Sequence, residues 1–200
     1  MILLNSNAQH IFWLGRYIAR VQYLCSCFPF KNDLDAMEYA HAFGLPAFDA
    51  TSLNELILDD DHSSSFKQQF TYMKNNIYEL RGVLSARGYA EFGQLIKLAS
   101  ENSGYICDVV NDCRDLFESE AHDVFLFFTL GQALEQLDRK IRLTQPVSDS
   151  INEIDQIILQ LHDIGWDGLS EVWLSLKASP DGYTHYQFSD FIQNMFEVAA

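Results

Sequence analysis

Two stretches of the chain share one pattern: Leu14-Gly15-Arg16-Tyr17-Ile18-Ala19-Arg20-Val21-Gln22 and Leu130-Gly131-Gln132-Ala133-Leu134-Glu135-Gln136-Leu137-Asp138. Each places a glycine inside an apolar sequence of helical period. Because glycine in a helix costs about 1 kcal/mol relative to alanine, its use at the same place in both stretches indicates close backbone packing. We therefore predict that the two helices cross at Gly15 and Gly131 and are related by an approximate internal two-fold axis.

The charged residues of the two stretches complement each other. Arg16 and Arg20 lie in an otherwise apolar and aromatic segment, whereas Glu135 and Asp138 lie in a segment without lysine or arginine. An unpaired buried arginine is costly, and its planar guanidinium suits a carboxylate. The sequence therefore predicts an ion-pair network between the two helices.

Two interpretations of this network stay open. It can fix how the two central helices meet, or it can form a pocket in which Arg20 and Glu135 bind a carboxylate or an amide and Glu135 acts as general acid or base. A solvent-connected cavity at these residues favours the second interpretation, and a closed, fully paired network favours the first. The candidate catalytic residues are Glu135 and Arg20, and the candidate binding residues are Arg16, Arg20, Glu135 and Asp138.

Composition limits the function classes. The 200 residues are 48% hydrophobic and 14% aromatic, enough for one substantial core, so we predict a single domain over residues 1–200. A net charge of −15 opposes binding to nucleic acid or to an anionic membrane surface. No apolar run approaches the roughly 20 residues of a membrane span, and the N-terminus lacks the features of a signal peptide. We expect a cytoplasmic protein without nucleic-acid or membrane partners.

The sequence indicates no metal site and no cofactor. The four cysteines match no zinc-binding spacing, and we expect reduced, mostly buried thiols at Cys25, Cys27, Cys107 and Cys113. Glu38-x-x-His41 has the spacing of a helical di-iron pair, but only one copy is present. His62 follows three aspartates, and we interpret that segment as an exposed acidic loop.

Helical periodicity runs through almost the whole chain, with turn signals between the periodic segments. This pattern predicts an all-α bundle of about eight to ten helices with an approximate internal repeat, whose cores lie near 7–28 and 122–143. Helices are predicted from about 6 to 28, at 33–43, from 52, at 65–86, 89–100, 105–117, 124–143, 150–165 and 169–177, and over a last stretch that carries Phe188, Phe191, Ile192 and Phe196.

Local signals predict where these helices begin and end. Capping boxes are predicted at Ser6 with Gln9, Ser52 with Glu55, and Ser150 with Glu153. Breaks are predicted at Arg87-Gly88 and near Gly104. The helix that follows Gly104 has an acidic outer face formed by Asp108, Asp112, Asp115 and Glu118.

The opening of the chain resembles that of the bacterial alpha-E family, a domain of unknown function. The resemblance lies in Ala8-Gln9-His10-Ile11-Phe12-Trp13-Leu14-Gly15-Arg16-Tyr17-Ile18-Ala19-Arg20, because the family has an apolar-aromatic run, then Leu-Gly-Arg-Tyr, then Glu-Arg-Ala-Glu. Further matches follow in the family's order: Leu56-Ile57-Leu58-Asp59 with Ser64, Asn76 and Arg81 on the next long helix, and Phe127 to Asp138 as the second Leu-Gly-Arg helix.

The chain also departs from the family pattern. Ala19 and Gln22 stand where the first motif has acidic residues, and Gln132 and Gln136 stand where the second has arginines. The chain therefore resembles a divergent and shortened member. If relatives use both Glu-Arg pairs for chemistry, this protein is expected to have lost it.

The resemblance implies a protein partner. Members of the family look like accessory components that work beside ATP-grasp-type ligases and transglutaminase-like proteins in peptide or amide metabolism. We therefore expect a non-catalytic helical interaction protein. The alternative is an enzyme or small-molecule binder that uses the Arg/Glu pocket between the two central helices, and the sequence leaves the substrate, the reaction and the oligomeric state open.

Overall fold

Two long helices, α1 (Asn5–Cys27) and α7 (His122–Arg142), form the centre of the molecule. The computed structural model describes residues 3–101 and 106–197. Positions that meet across the two helices advance together along the chain: Gly15 faces Phe128, and Tyr23 faces Arg139. The two central helices therefore run in the same direction.

Eight further α-helices surround this pair in the described part of the chain, which contains no β-strand. The predicted all-α class is therefore confirmed, and the helix count lies within the predicted range. The remaining helices are α2 (Asp33–Phe43), α3 (Ala50–Leu58), α4 (Phe66–Glu79), α5 (Ala86–Glu101), α6 (Ile106–Glu118), α8 (Ser148–Asp163), α9 (Leu169–Ala178) and α10 (Gly182–Glu197), and a 3-10 turn covers Leu80–Gly82.

The two central helices cross at their glycines, as predicted. The carbonyl oxygen of Phe128 lies where a Cβ atom on Gly15 would be, and the carbonyl oxygen of Phe12 lies where a Cβ atom on Gly131 would be. These reciprocal contacts are those that a local two-fold axis between the helices produces. Any side chain larger than hydrogen at either position would push the two backbones apart.

The outer helices pack on the central pair in a consistent way. Helix α4 packs on α1, α8 packs on α7, and α10 packs against both α1 and α9. Phe188, Ile192 and Phe196 of α10 are almost fully buried, and the Phe196 ring lies 5.7 Å from that of Phe12, centroid to centroid. The aromatic stripe on α10 is therefore part of the core.

The predicted capping boxes are wrong, because the helices begin one or two residues earlier than predicted. Helices α1 and α8 have no side-chain cap. In α3 the box lies at Asp49 and Ser52, where Asp49 accepts a hydrogen bond from the Ser52 backbone. Ser52 thus closes a box that begins at an aspartate, instead of opening one with Glu55.

The break between α4 and α5 lies a few residues before the predicted position. Ser85 caps the start of α5, since its Oγ accepts a hydrogen bond from the Gly88 backbone N–H at 3.0 Å. The carboxylate of Glu120 accepts hydrogen bonds from the backbone N–H and the hydroxyl of Ser85. Arg87 and Gly88 consequently lie inside α5, and the break predicted near Gly104 lies outside the described residues.

The cysteines are not all reduced thiols as expected. Cys25 is disulfide-bonded, whereas Cys27 and Cys113 are free. The prediction rests on the spacing of the cysteines along the chain. Spacing can indicate zinc ligands, but it does not show which cysteines lie close together in the folded protein. Burial, with a contribution from Asp112, raises the pKa of the Cys113 thiol to about 12, so this group stays protonated. Because disulfides persist mainly in oxidising compartments, the cytoplasmic location stays a prediction that this bond does not support.

None of the helices within residues 3–101 and 106–197 is both long and apolar enough to cross a membrane.

Candidate functional site

A buried carboxylate on α7, Glu135, accepts hydrogen bonds from two arginines of α1. Nε and Nη2 of Arg20 donate to Oε1 and Oε2 at 2.6 and 3.0 Å. Nε of Arg16 donates to Oε2 at 2.9 Å. Arg16 and Arg20 are four residues apart and therefore share one face of α1. The predicted pairing of these two arginines with Glu135 is confirmed.

Aromatic rings complete the surroundings of the two guanidinium groups. The Arg16 guanidinium carbon lies 5.1 Å from the Trp13 ring centroid, and that of Arg20 lies 5.8 Å from the Tyr17 ring centroid. A guanidinium over an aromatic face gains electrostatic stabilisation that grows as water is excluded. The cations are thus held by one carboxylate and by the rings of their own helix.

The electrostatics of the cluster favour the ionised form of Glu135. Burial acts to raise the pKa of Glu135, but Arg16 and Arg20 outweigh burial and lower the pKa from 4.5 to about 2. Burial also acts to lower the pKa of Arg20, and Glu135 more than offsets it, so that the pKa of Arg20 is raised. The cluster is therefore fully ionised at neutral pH.

Asp138, the fourth predicted network residue, pairs with different partners. Its Oδ1 accepts a hydrogen bond from Nε of Arg142 at 2.9 Å and lies 3.5 Å from Nδ1 of the buried His185. Burial lowers the pKa of His185, although Asp138 acts in the opposite direction, and His185 is therefore neutral at pH 7. The prediction that Asp138 accepts from the α1 arginines is wrong, because its own helix supplies a guanidinium one turn further on.

Two arginines near the site were missed from the sequence. The Arg139 guanidinium carbon lies 4.0 Å from the Tyr23 ring centroid, and Arg142 also donates through Nη1 to the carbonyl of Ala42 at 3.2 Å. Both could have been found from the four-residue spacings between Glu135 and Arg139 and between Asp138 and Arg142 on one helix face.

The cluster carries more cationic than anionic groups. Arg16, Arg20, Arg139 and Arg142 face two carboxylates, Glu135 and Asp138. The imbalance follows from the internal repeat, since the position on α1 that matches Glu135 is Ala19, which has no carboxylate to add. Within the described residues Arg139 has no carboxylate partner, and its buried Nε has no hydrogen-bond partner.

Cavities lie on the α2 side of the cluster. The cavity that reaches Glu135 holds about 10 Å³, on the scale of a single water molecule, and is also lined by Arg20 and Arg139. A larger cavity of about 200 Å³ opens beside it. Its lining residues are Arg20, Leu24, Tyr39, Phe43, Leu45, Ile57, Ser64, Asp138 and Arg142. The solvent-connected space thus reaches Arg20 but barely reaches Glu135.

The weak metal patterns do not assemble into a ligand set. Glu38 and His41 are exposed on α2, and Nδ1 of His62 accepts a hydrogen bond from the Ser64 backbone. No group of three or more histidine, cysteine, aspartate or glutamate side chains within the described ranges is placed to hold a metal ion.

A second surface feature lies between α5 and α6. Four acidic residues of α6 are exposed, as the sequence predicts: Asp108, Asp112, Asp115 and Glu118. Beside them lies a groove of about 410 Å³. We call its three leucines, Leu95, Leu98 and Leu116, the floor, and its polar lining residues, Glu91, Gln94, Asp112 and Asp115, the rim.

Together these features define an all-α protein with an Arg–Glu–Arg cluster around a buried carboxylate at the crossing of two parallel central helices. Comparisons with protein-family profiles, with curated proteins and with solved structures find no match for this chain. Membership of the alpha-E family therefore stays a prediction that rests on the residues quoted above.

Proposed function

We propose that this protein is a non-catalytic helical interaction protein. The state of Glu135 supports this role. Its two oxygens accept three charge-assisted hydrogen bonds, and its pKa is lowered to about 2. A general acid or base works best with a pKa near the working pH, so a carboxylate held this far below neutrality is a weak base and is not a proton donor at pH 7.

The same observation argues against the enzyme alternative. That alternative assigns acid-base chemistry to Glu135 and needs room for a substrate beside it. The space next to Glu135 holds about 10 Å³, which admits a water molecule and excludes an organic substrate. The cluster is better explained as an ion-pair network that stabilises the packing of α1 against α7.

The α5–α6 groove is the surface that we assign to a protein partner. Its leucine floor offers apolar area for a helix face, and three carboxylates on its rim face outwards from a chain of net charge −15. Complementary charge selects partners and speeds association. The occupant we propose is an amphipathic helix whose apolar side chains are flanked by lysine or arginine.

The identity of the partner comes from the family resemblance. That resemblance points to an ATP-grasp-type ligase or a transglutaminase-like protein, and we propose the ligase as the protein that supplies the basic amphipathic helix. A basic helix on that partner would complement the three carboxylates around the apolar groove.

The test is co-expression with the ATP-grasp-type ligase of the same genome, followed by size-exclusion chromatography and calorimetry of the purified pair. The variant Asp112→Lys/Asp115→Lys reverses two charges on the rim and should abolish the complex. The control Glu153→Lys/Asp163→Lys makes the same charge change at exposed positions of α8 and should leave binding intact. Failure of the ligase to bind, or equal losses in the two variants, would refute the proposal.

A further inference from the structure

The cavity between α1, α2 and α7 points to a ligand that the proposed interaction role does not use. Two guanidinium groups, those of Arg20 and Arg142, line this one cavity of about 200 Å³. Arg20 commits Nε and Nη2 to Glu135, and Arg142 commits Nε to Asp138 and Nη1 to Ala42. Each guanidinium has five N–H donors, so both keep donor capacity for a further acceptor.

The charge balance of the neighbourhood favours an anion. Glu135 neutralises one of the two arginines that it binds, and Asp138 neutralises Arg142. Arg139 lies in the adjoining space without a carboxylate partner among the described residues and with a buried Nε that has no acceptor. The chain as a whole has a net charge of −15, but this cluster has an excess of positive charge. That local excess attracts an anion.

The other lining residues of the cavity indicate what the uncharged part of the ligand is like. Leu24, Phe43, Leu45 and Ile57 make about half of the lining apolar, and Tyr39 adds an aromatic side chain. Burial raises the pKa of Tyr39, so its hydroxyl is protonated at neutral pH. Small-molecule sites usually combine apolar walls with a few convergent polar groups, and this cavity has both.

We propose that this cavity binds a small monocarboxylate with a short apolar body. The carboxylate lies between the guanidinium groups of Arg20 and Arg142, where planar forks match carboxylate geometry. The apolar body packs against Leu24, Phe43 and Ile57. Asp138 holds Arg142 in place through its ion pair and is a positioning residue. This site lies beside the Arg–Glu–Arg cluster on the α2 side and leaves the contacts of Glu135 intact.

The test compares isovalerate with isovaleramide, which has the same shape without the charge. Binding to the full chain is measured by calorimetry, and the Nε–H resonances of the arginines are followed by ¹H–¹⁵N NMR. Isovalerate should bind saturably and shift the resonances of Arg20 and Arg142. The amide should bind at least about tenfold more weakly, because it has no negative charge and only one acceptor oxygen.

Variants distinguish binding in this cavity from non-specific binding elsewhere on the protein. Arg142→Gln should weaken isovalerate binding about tenfold or more, and Arg142→Lys should restore part of it. The Arg142 side chain is about half exposed, so the fold should tolerate both changes. Arg87→Gln, at an exposed ion pair of α5, should have no effect. Equal binding of acid and amide, no saturation up to about 10 mM, or unchanged binding by Arg142→Gln would overturn the proposal.

Discussion

At the residue scale, one buried carboxylate holds two cations in place, of which Arg16 is buried and Arg20 is partly exposed. Replacing Glu135 with glutamine leaves Arg16 and Arg20 without a counter-charge where water cannot fully solvate them. We expect Glu135→Gln to lower the free energy of unfolding by about 3–5 kcal/mol in urea titrations. Glu91→Gln, which breaks the exposed Arg87–Glu91 pair, serves as the control and should have a far smaller effect.

A double-mutant cycle tests the pairing itself. Arg20→Ala strands part of the charge on Glu135 and should destabilise the protein strongly in urea melts. Adding Glu135→Gln to that variant should lower the free energy of unfolding much less than Glu135→Gln does in the wild type, because the pair has already been broken. Strict additivity of the two changes would contradict direct pairing and would leave the lowered pKa of Glu135 without its cause.

The lowered pKa also makes stability depend on pH. The pKa of Glu135 is about 2 in the folded protein against an ordinary value of 4.5, so its contribution is fully present above about pH 4.5 and is lost as the pH falls towards 2. The difference in unfolding free energy between wild type and Glu135→Gln should therefore shrink by about 3 kcal/mol between pH 6 and pH 2. A difference that is constant over this range would show that the carboxylate is not stabilised by the arginines.

At the element scale, the glycine crossing sets how closely α1 and α7 approach. In Gly15→Ala the new methyl group would meet the Phe128 carbonyl oxygen, which belongs to a helix backbone and cannot move alone. We expect Gly15→Ala to lower the free energy of unfolding by about 1–3 kcal/mol, measured by urea titration. Gly131→Ala should behave in the same way, because its contact with Phe12 is the reciprocal one.

The matched control for this prediction is Gly93→Ala. Gly93 lies within α5, and a Cβ atom there would meet no atom within 4 Å. Because alanine has a higher helix propensity than glycine, the free energy of unfolding of this variant should rise by up to about 1 kcal/mol. If Gly15→Ala is as stable as Gly93→Ala, the central helices do not approach as closely as the structure places them.

The helices differ in how well the sequence predicts their ends. The bounds of α2 are predicted correctly, because the left-handed Gly44 stops the helix within the local sequence and Asn32 caps its start. The start of α5 is missed, because Glu120, which is 35 residues away, holds its capping serine, Ser85. The signals that bound α2 lie within one turn of its ends, whereas the contact that fixes the start of α5 is made by the tertiary fold.

The candidate site divides in the same way. The pairing of Arg16 and Arg20 with Glu135 follows from the sequence, because the two segments have opposite charge and matched glycines. The four-residue spacing between Asp138 and Arg142 also indicates their pairing, but the contact of Asp138 with His185 depends on where the tertiary fold places α10. The α2 wall of the cavity is likewise beyond sequence reasoning, since α2 carries no signal that it packs beside Arg20.

At the scale of the whole molecule, charge is divided unevenly between the interior and the surface. The central cluster has more cations than anions, so the carboxylates that give the chain its net charge of −15 lie mainly outside it, for example along the exposed face of α6. Repulsion among exposed charges opposes the compact state and is screened by salt, whereas buried pairs are screened much less. Salt should therefore stabilise this protein instead of weakening it.

Thermal melts in NaCl test this expectation. Between about 10 mM and about 150 mM salt the Debye length falls from about 30 Å to about 8 Å, and Tm should rise by several degrees. In Asp112→Lys/Asp115→Lys the net charge is closer to zero and two acidic neighbours on α6 are removed, so the rise should be smaller. A Tm that is flat or falls with salt in the wild type would mean that attractive surface pairs outweigh the repulsion. The acidic face of α6 would then not be a source of instability that a basic partner could relieve.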